Sequence, residues 1–248
     1  MSIELRAWVY TAEQLKAAIE SPDISAVYAP IKLVSAELSD SAEKIIILPP
    51  EFLADCEEET EKRLCALKKL GFRKALAHTV GHIELLQRNG FEIYGGNRLN
   101  CTNSETVKFY TEQGLKDILV SPELTVQRIN ALEKPIKLGF LAYGKLPLML
   151  TRRCPIKDGK PCGKPNCGRK LKDRKGNEVD VICSDNTVEL LNSDTLILSD
   201  KMNDFRTDFA VLRFTVERDI TSIVKMYSEH KKPDVQKLTR GLYYRGVE

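Results

Sequence analysis

Residues 91–120 read FEIYGGNRLNCTNSETVKFYTEQGLKDILV, and the order of elements in this stretch decides the fold. FEIYGG (91–96) is a short β-branched and aromatic run, CTNSETVKFYTEQG (101–114) is a capped helix closed by a glycine, and LKDILV (115–120) is a second strand. A strand, a helix and a strand in that order form a parallel crossover unit.

The same unit repeats in both directions. Upstream, LRAWVY (5–10), SAVYAPI (25–31), KIIILPP (44–50) and RKALAH (73–78) read as strands. Thr11 and Gln14 form a capping box at the start of the first helix. Gly71 and Gly90 end two later helices, and Leu64, Leu67 and Leu70 line one side of the former. Cys65, beside them, reads as a small buried hydrophobe. Downstream, Ser121, Pro122 and Glu123 give an N-cap, a proline at N1 and an acidic first turn. IKLGFLAYG (136–144) and FAVLRFTV (209–216) are a seventh and an eighth strand, and 219–232 is a last helix. Eight such units in 248 residues predict an α/β fold, a (β/α)8 TIM-type barrel, over 1–248 as a single barrel domain. Its rhythm breaks at 145–208, a Cys-rich insertion after strand seven. An open doubly wound sheet is the alternative, because periodicity does not show closure.

The insertion holds four of the seven cysteines. Cys154, Cys162, Cys167 and Cys183 are spaced x7, x4 and x15, with Gly163, Pro165 and Gly168 among them to turn the chain tightly. Four thiolates close a tetrahedral zinc site or ligate an iron–sulfur cluster. A second tight Cys pair, as in zinc ribbons, is absent. Ten basic residues and two acidic ones lie between Arg152 and Lys175, so this segment carries +8 and the rest of the chain about −5. Such charge either solvates a loop and balances thiolates or forms a surface for phosphate. Arg169, Lys170, Lys172 and Arg174 are the candidate RNA-binding residues. No apolar run approaches the about 18 residues of a membrane span, and no leader-like N-terminus appears, so the expectation is a soluble, cytoplasmic protein with no membrane association.

In a parallel barrel, residues that follow strands gather at the C-terminal rim, where active sites sit. His78, Asn97, Asn100, Asn103, Glu123 and the cysteines all do so. Alternative roles are structural: a strand-end His is often a hydrogen-bonded residue, and Glu123 suits a helix cap. His78 and His82 lack the HExxH order of zinc proteases, and no Walker or dinucleotide glycine motif occurs.

The stretch from FEIYGGNRLNCTN through SPELTVQRI to LGFLAYGKLPLMLTRRCPI resembles the collagenase-like peptidase family U32. The family name implies proteolysis. The resemblance also implies hydroxylation or related modification of RNA (tRNA or rRNA), or of a quinone precursor, with a [4Fe-4S] cluster on four cysteines. Zinc is the alternative cofactor. In the family pattern a Cys follows the strand-seven glycine closely and another comes seven residues later; here those positions are Pro147 and Cys154. One expected ligand is therefore missing, with Cys162, Cys167 and Cys183 available to replace it and Cys101 in reserve. Asn100, Asn103, Glu123 and His78 are the candidate catalytic residues. The competing expectations are a metal-dependent or cryptic peptidase and a non-catalytic, metal-stapled binding subunit with a protein partner.

Overall fold

Short runs of Ile, Leu, Val and Ala, too apolar to face water on either side, build seven parallel strands in succession. These are β1 (Glu4–Trp8), β2 (Ile24–Pro30), β3 (Ile45–Leu48), β4 (Lys74–Ala77), β5 (Glu92–Gly95), β6 (Leu115–Leu119) and β7 (Lys137–Thr151). The insertion then contributes β8 (Lys170–Lys172), β9 (Glu178–Ser184) and β10 (Thr187–Ile197), and β11 (Phe209–Arg213) completes the set. β11 pairs in parallel with both β7 and β1, so the eight parallel strands close into a (β/α)8 TIM-type barrel. The structure is a computed structural model and describes residues 3–157, 159, 162, 170–172, 174, 176–184, 187–234 and 237–246.

The helices are α1 (Ala12–Glu20), α2 (Glu57–Lys69), α3 (Val80–Arg88), α4 (Ser104–Glu112), α5 (Val126–Asn130) and α6 (Thr221–Ser228). Tight 3-10 turns at Ile31–Leu33 and Ala36–Lys44 replace a helix between β2 and β3. The Thr11–Gln14 capping box is formed as the sequence predicts. Three local readings are corrected. Helix α5 starts at Thr125, whose hydroxyl accepts from the Arg128 amide, whereas Ser121 gives its own amide to the Cys101 carbonyl and accepts the Glu123 amide (3.4 Å) in the turn before it. Helix α6 stops at Ser228, and His230 lies beyond it in the left-handed region with φ 52°. Cys65 is exposed rather than buried, and its thiol donates to Asn89 Oδ1 (3.1 Å).

One buried polar cluster crosses the barrel interior. Arg6 on β1 donates to Asp117 on β6 (2.5 Å) and to the Tyr28 hydroxyl on β2 (3.0 Å), and lies 3.6 Å from the Phe209 ring centroid. Gly139 makes room for that ring, since an added Cβ would collide with it.

At its C-terminal end β7 leaves the barrel and continues as one strand of an antiparallel arm ordered β7-β10-β9-β8. Among the described residues no α-helix lies between β7 and β11, only a 3-10 turn at Ser199–Asp204. Its outer face is sealed by Phe205, at the end of that turn, and by Tyr243 in the chain's tail. Phe140 stacks on Phe205 (3.8 Å between centroids), Tyr243 packs edge-on to both, and the Tyr243 hydroxyl donates to the Leu141 carbonyl (2.9 Å). No helix among the described residues is long and apolar enough to cross a membrane.

Candidate functional site at the barrel mouth

Parallel strands deliver their last side chains to one rim, so the site is assembled from strand ends. Trp8 ends β1, Glu51 follows β3, His78 follows β4, Arg98 follows β5 and Arg213 ends β11. The arm supplies the remaining member. Glu189 on β10 folds back over the mouth and its carboxylate forms ion pairs with Arg213 and Arg98. Arg98 also donates to Glu51 (3.2 Å), and the Arg213 Nε donates to the Tyr10 hydroxyl (3.0 Å) while its guanidinium lies over the Trp8 and Tyr10 rings.

Charges this deeply buried persist only because they alternate in sign. Burial pushes the Glu189 carboxyl up, but Arg213 and then Arg98 outweigh it and hold the group below the usual carboxylate range. Glu51 goes the other way: burial raises its pKa and Arg98 only partly offsets this.

His78 sits behind this network, 1% exposed, with its ring stacked on Trp8 (5.1 Å between centroids). Neither of its ring nitrogens has a hydrogen-bond partner, and Nε2 is 3.8 Å from Glu51 Oε1. Burial, followed by the Arg98 charge, lowers its pKa to about 3. Gly96 makes this seat possible: an added Cβ would stand 2.7 Å from His78 Cε1 and closer still to Nδ1. His82, at the start of α3, accepts from the His78 amide through Nδ1 (3.0 Å), and its Nε2 contacts the Pro50 carbonyl (3.0 Å). Both histidines are therefore neutral at pH 7.

The arm and the barrel enclose a narrow cleft between Trp8, Tyr10 and Glu51 on one side and Ser184, Thr187 and Glu189 on the other. Its free volume is about 20 Å3, room for roughly one water molecule.

The cysteines lie further along the same arm. Cys154 and Cys183 are buried together with Val181 and Val188 in a small apolar cluster of their own. Cys162 Sγ is 3.7 Å from Cys183 Sγ. Burial first, then Cys162 and Cys154, raises the Cys183 thiol to about 11. Cys167 and Arg169 lie outside the described residues. Among the described residues no three His, Cys, Asp or Glu side chains converge closely enough to hold a metal ion.

The other predicted residues are dispersed around the rim. Asn103 is the N-cap of α4, accepting from the Thr106 amide (2.8 Å) and hydroxyl (3.0 Å). Asn100 is exposed at a left-handed turn with φ 50°, and Glu123 is exposed in the turn before α5. The basic segment is partly neutralised across its own hairpin, since Glu178 takes Lys170 (2.8 Å) and Lys172 (3.9 Å), and Arg152 pairs with Asp55. Arg174 is exposed.

Trp8, Tyr10, Glu51, Arg98, Glu189 and Arg213 escaped the sequence reading. A signal existed for one of them: Arg213 interrupts the apolar run FAVLRF, and a charge inside a buried strand requires a partner. The model of peptidase family U32 matches residues 37–169, more than half of the chain. No curated protein matches it. Among solved structures it is similar to the U32 peptidase Mk0906, with a TM-score of 0.49 and 10% identity, covering 87% of this chain and 94% of that one.

Proposed function

Because the chain belongs to peptidase family U32, we propose that it modifies RNA, tRNA or rRNA, by hydroxylation or a related reaction, with a cysteine-bound metal centre on the arm above the barrel mouth. The observation that carries this reading is the 3.7 Å approach of Cys162 to Cys183, with Cys154 in the same cluster, on the strand pair that also bears Glu189. Cys183 faces Val188 across the β9–β10 ladder, one residue from the latch that closes the mouth. Whatever binds the thiols is thus mechanically linked to the position of Glu189.

The donor set fits a metal in its chemistry. A buried thiol with a raised pKa stays protonated alone, and a bound cation reverses that preference. Cys154, Cys162, Cys183 and the undescribed Cys167 would hold the group. A [4Fe-4S] cluster would supply electron transfer to the barrel mouth. Zinc is the second reading, and one distance favours it. Two thiolates on one tetrahedral ion at about 2.3 Å stand about 3.8 Å apart, which matches the described pair, whereas a cluster places each cysteine on a separate iron.

A peptidase has less support in the geometry. Both His82 ring nitrogens are occupied by backbone groups, and neither imidazole bonds a hydroxyl or thiol among the described residues. The basic residues Lys170, Lys172, Arg174 and Arg169 would meet RNA phosphates, with Glu178 competing for two of them.

Anaerobic purification with metal analysis tests the centre. Iron together with a broad absorption band near about 400 nm supports the cluster. A colourless protein with one zinc supports the staple, and a metal-free protein with four titratable arm thiols removes the centre altogether. Titration with tRNA at two salt concentrations tests the substrate class, because phosphate contacts make affinity fall steeply with salt. Absence of salt-sensitive binding at low ionic strength would end the RNA reading.

A further inference from the structure

Two thiols of the arm already touch. Cys162 Sγ lies 3.7 Å from Cys183 Sγ, although the two residues are 21 positions apart in the chain. A disulfide brings its sulfurs to about 2.05 Å. Closing this pair therefore takes a sulfur displacement of less than about 2 Å, within reach of a side-chain rotation. The cysteines off the arm are placed otherwise: Cys65 gives its thiol to Asn89, Cys56 gives its own to the Phe52 carbonyl (3.3 Å), and Cys101 is buried beside Val120 in the barrel wall.

The touching pair is also unequal. Cys162 is exposed, whereas Cys183 is 1% exposed and packs with Cys154, Val181 and Val188. A dissolved oxidant meets Cys162 first and reaches Cys183 through it. An exposed sulfur that captures the oxidant, backed by a shielded sulfur that completes the bond, is the arrangement of an entry thiol and a resolving thiol. Cys183 is fixed for the second part by the β9–β10 ladder, where it faces Val188 while its neighbour Ile182 faces Glu189. Cys154 shares the apolar cluster but is itself buried, so it offers no entry.

We infer that Cys162 and Cys183 form a reversible disulfide, which makes the thiol cluster of the arm a redox-switched site. The bond itself needs no metal; its consequence rests on the metal site proposed above, because two sulfurs bonded to each other no longer supply two thiolates, and oxidation then releases the ion. The oxidant is a small-molecule disulfide. Cys162 Sγ gives its proton to solvent and attacks one external sulfur; the external S–S bond breaks and one thiolate leaves. Cys183 Sγ then attacks Cys162 Sγ, forms the internal bond and expels the second external sulfur. The two protein sulfurs lose two electrons, the two external sulfurs gain them, and the two protons given up by the protein end on the released thiols. The closed loop contains Lys170, Lys172 and Arg174.

Incubation of the full chain with oxidised glutathione, as purified and after chelator treatment, followed by peptide mapping without reduction, tests this. A Cys162–Cys183 linkage is expected, reversed by dithiothreitol, and trypsin should leave the fragments on either side of it joined until they are reduced. Cys183→Ser should stop the reaction at a glutathione adduct on Cys162. Cys162→Ser changes an exposed position and, in the chelator-treated protein, should melt with the wild type yet slow oxidation of Cys183 by about tenfold or more. Metal released in step with the linkage supports the consequence; a chain that holds no metal yet forms the linkage supports the switch and removes the metal centre. Linkage of Cys162 to any other cysteine, wild-type oxidation of Cys183 in Cys162→Ser, or no linkage in the chelator-treated protein would each overturn the inference, the last while leaving the metal reading in place.

Discussion

Acidification from pH 8 to pH 5 should destabilise the protein by about 2–3 kcal/mol, and the structure supplies each contribution. The His78 and His82 pKa values are lowered to about 3 and about 4, in both cases chiefly by burial, while an unfolded histidine titrates near about 6.5. A group whose folded pKa is depressed contributes stability that is present above the unfolded value and is lost as pH falls toward the folded one. At pH 5 the folded rings are still neutral and the unfolded ones are protonated. Each ring then costs about 2 kcal/mol, a figure set by the gap between about 6.5 and the pH and not by how far below 5 the folded values lie. Asp117 acts in the opposite sense. Burial raises it to about 6 against the pull of Arg6, so its contribution grows as pH falls through that value, by about 1 kcal/mol at pH 5. The net loss is about 2–3 kcal/mol. Urea unfolding followed by circular dichroism at pH 8, 7, 6 and 5 measures it, and two-dimensional NMR should show both imidazoles failing to titrate over the same range. Stability that is constant or rises on going to pH 5 would refute the buried neutral pair.

Three further outcomes are expected. Gly96→Ala drives a Cβ into the His78 ring and should cost about 1–3 kcal/mol, read as a lower melting temperature by calorimetry. Glu189→Gln leaves Arg213 and Arg98 without their shared counter-charge; the loss should be about 3–5 kcal/mol, with faster proteolysis within the arm as the distinguishing sign. Tyr243→Ala removes the cover of β7 and should cost about 3–5 kcal/mol, whereas Tyr244→Ala, at a half-exposed ring, should change the unfolding midpoint little.

Much of the barrel was legible because its evidence is local. Alternating strands and helices, the Thr11–Gln14 box and the left-handed glycines at Gly71, Gly90 and Gly114 are properties of a few adjacent residues. The site was less legible because its residues meet through closure. Arg6 and Asp117 are 111 positions apart, and Glu189 reaches Arg98 across 91; no periodicity reports such distances. Glu189 was hidden for a second reason. In TVELLN it sits where an alternating strand would place a solvent-facing residue, and only the arm's return over the mouth turns that face inward. The charge count was incomplete for a related reason: counting 152–175 stopped short of Glu178, which the β8–β9 hairpin brings back onto Lys170 and Lys172.

The departure at strand seven explains how one chain accommodates both a closed barrel and a thiol-bearing arm. A barrel strand needs its outer face covered, and a crossover helix ordinarily does this. Here the crossover is diverted upward as the arm and returns only a 3-10 turn, Ser199–Asp204, so the cover is shared between its end and the tail. Phe205, just before β11, and Tyr243, in the tail, supply it with stacked aromatic surface and a hydroxyl bonded to the Leu141 carbonyl. The Tyr227 hydroxyl on α6 adds a second such bond, to the Ala142 carbonyl (2.7 Å), while accepting from the Leu198 amide (2.9 Å) at the end of β10. The wall of the barrel thus no longer depends on residues 152–184 for its closure. The arm is tied to the barrel both electrostatically, through Glu189, and by apolar packing, since Ile182 on β9 and Leu191 on β10 belong to the main core, whereas the cluster around Cys154 and Cys183 packs separately. The thiol cluster, packed apart from that core, can change its ligand without unfolding the barrel beneath it. Loss of whatever the thiols bind should therefore leave the barrel's cooperative unfolding intact and alter the arm's protease sensitivity first.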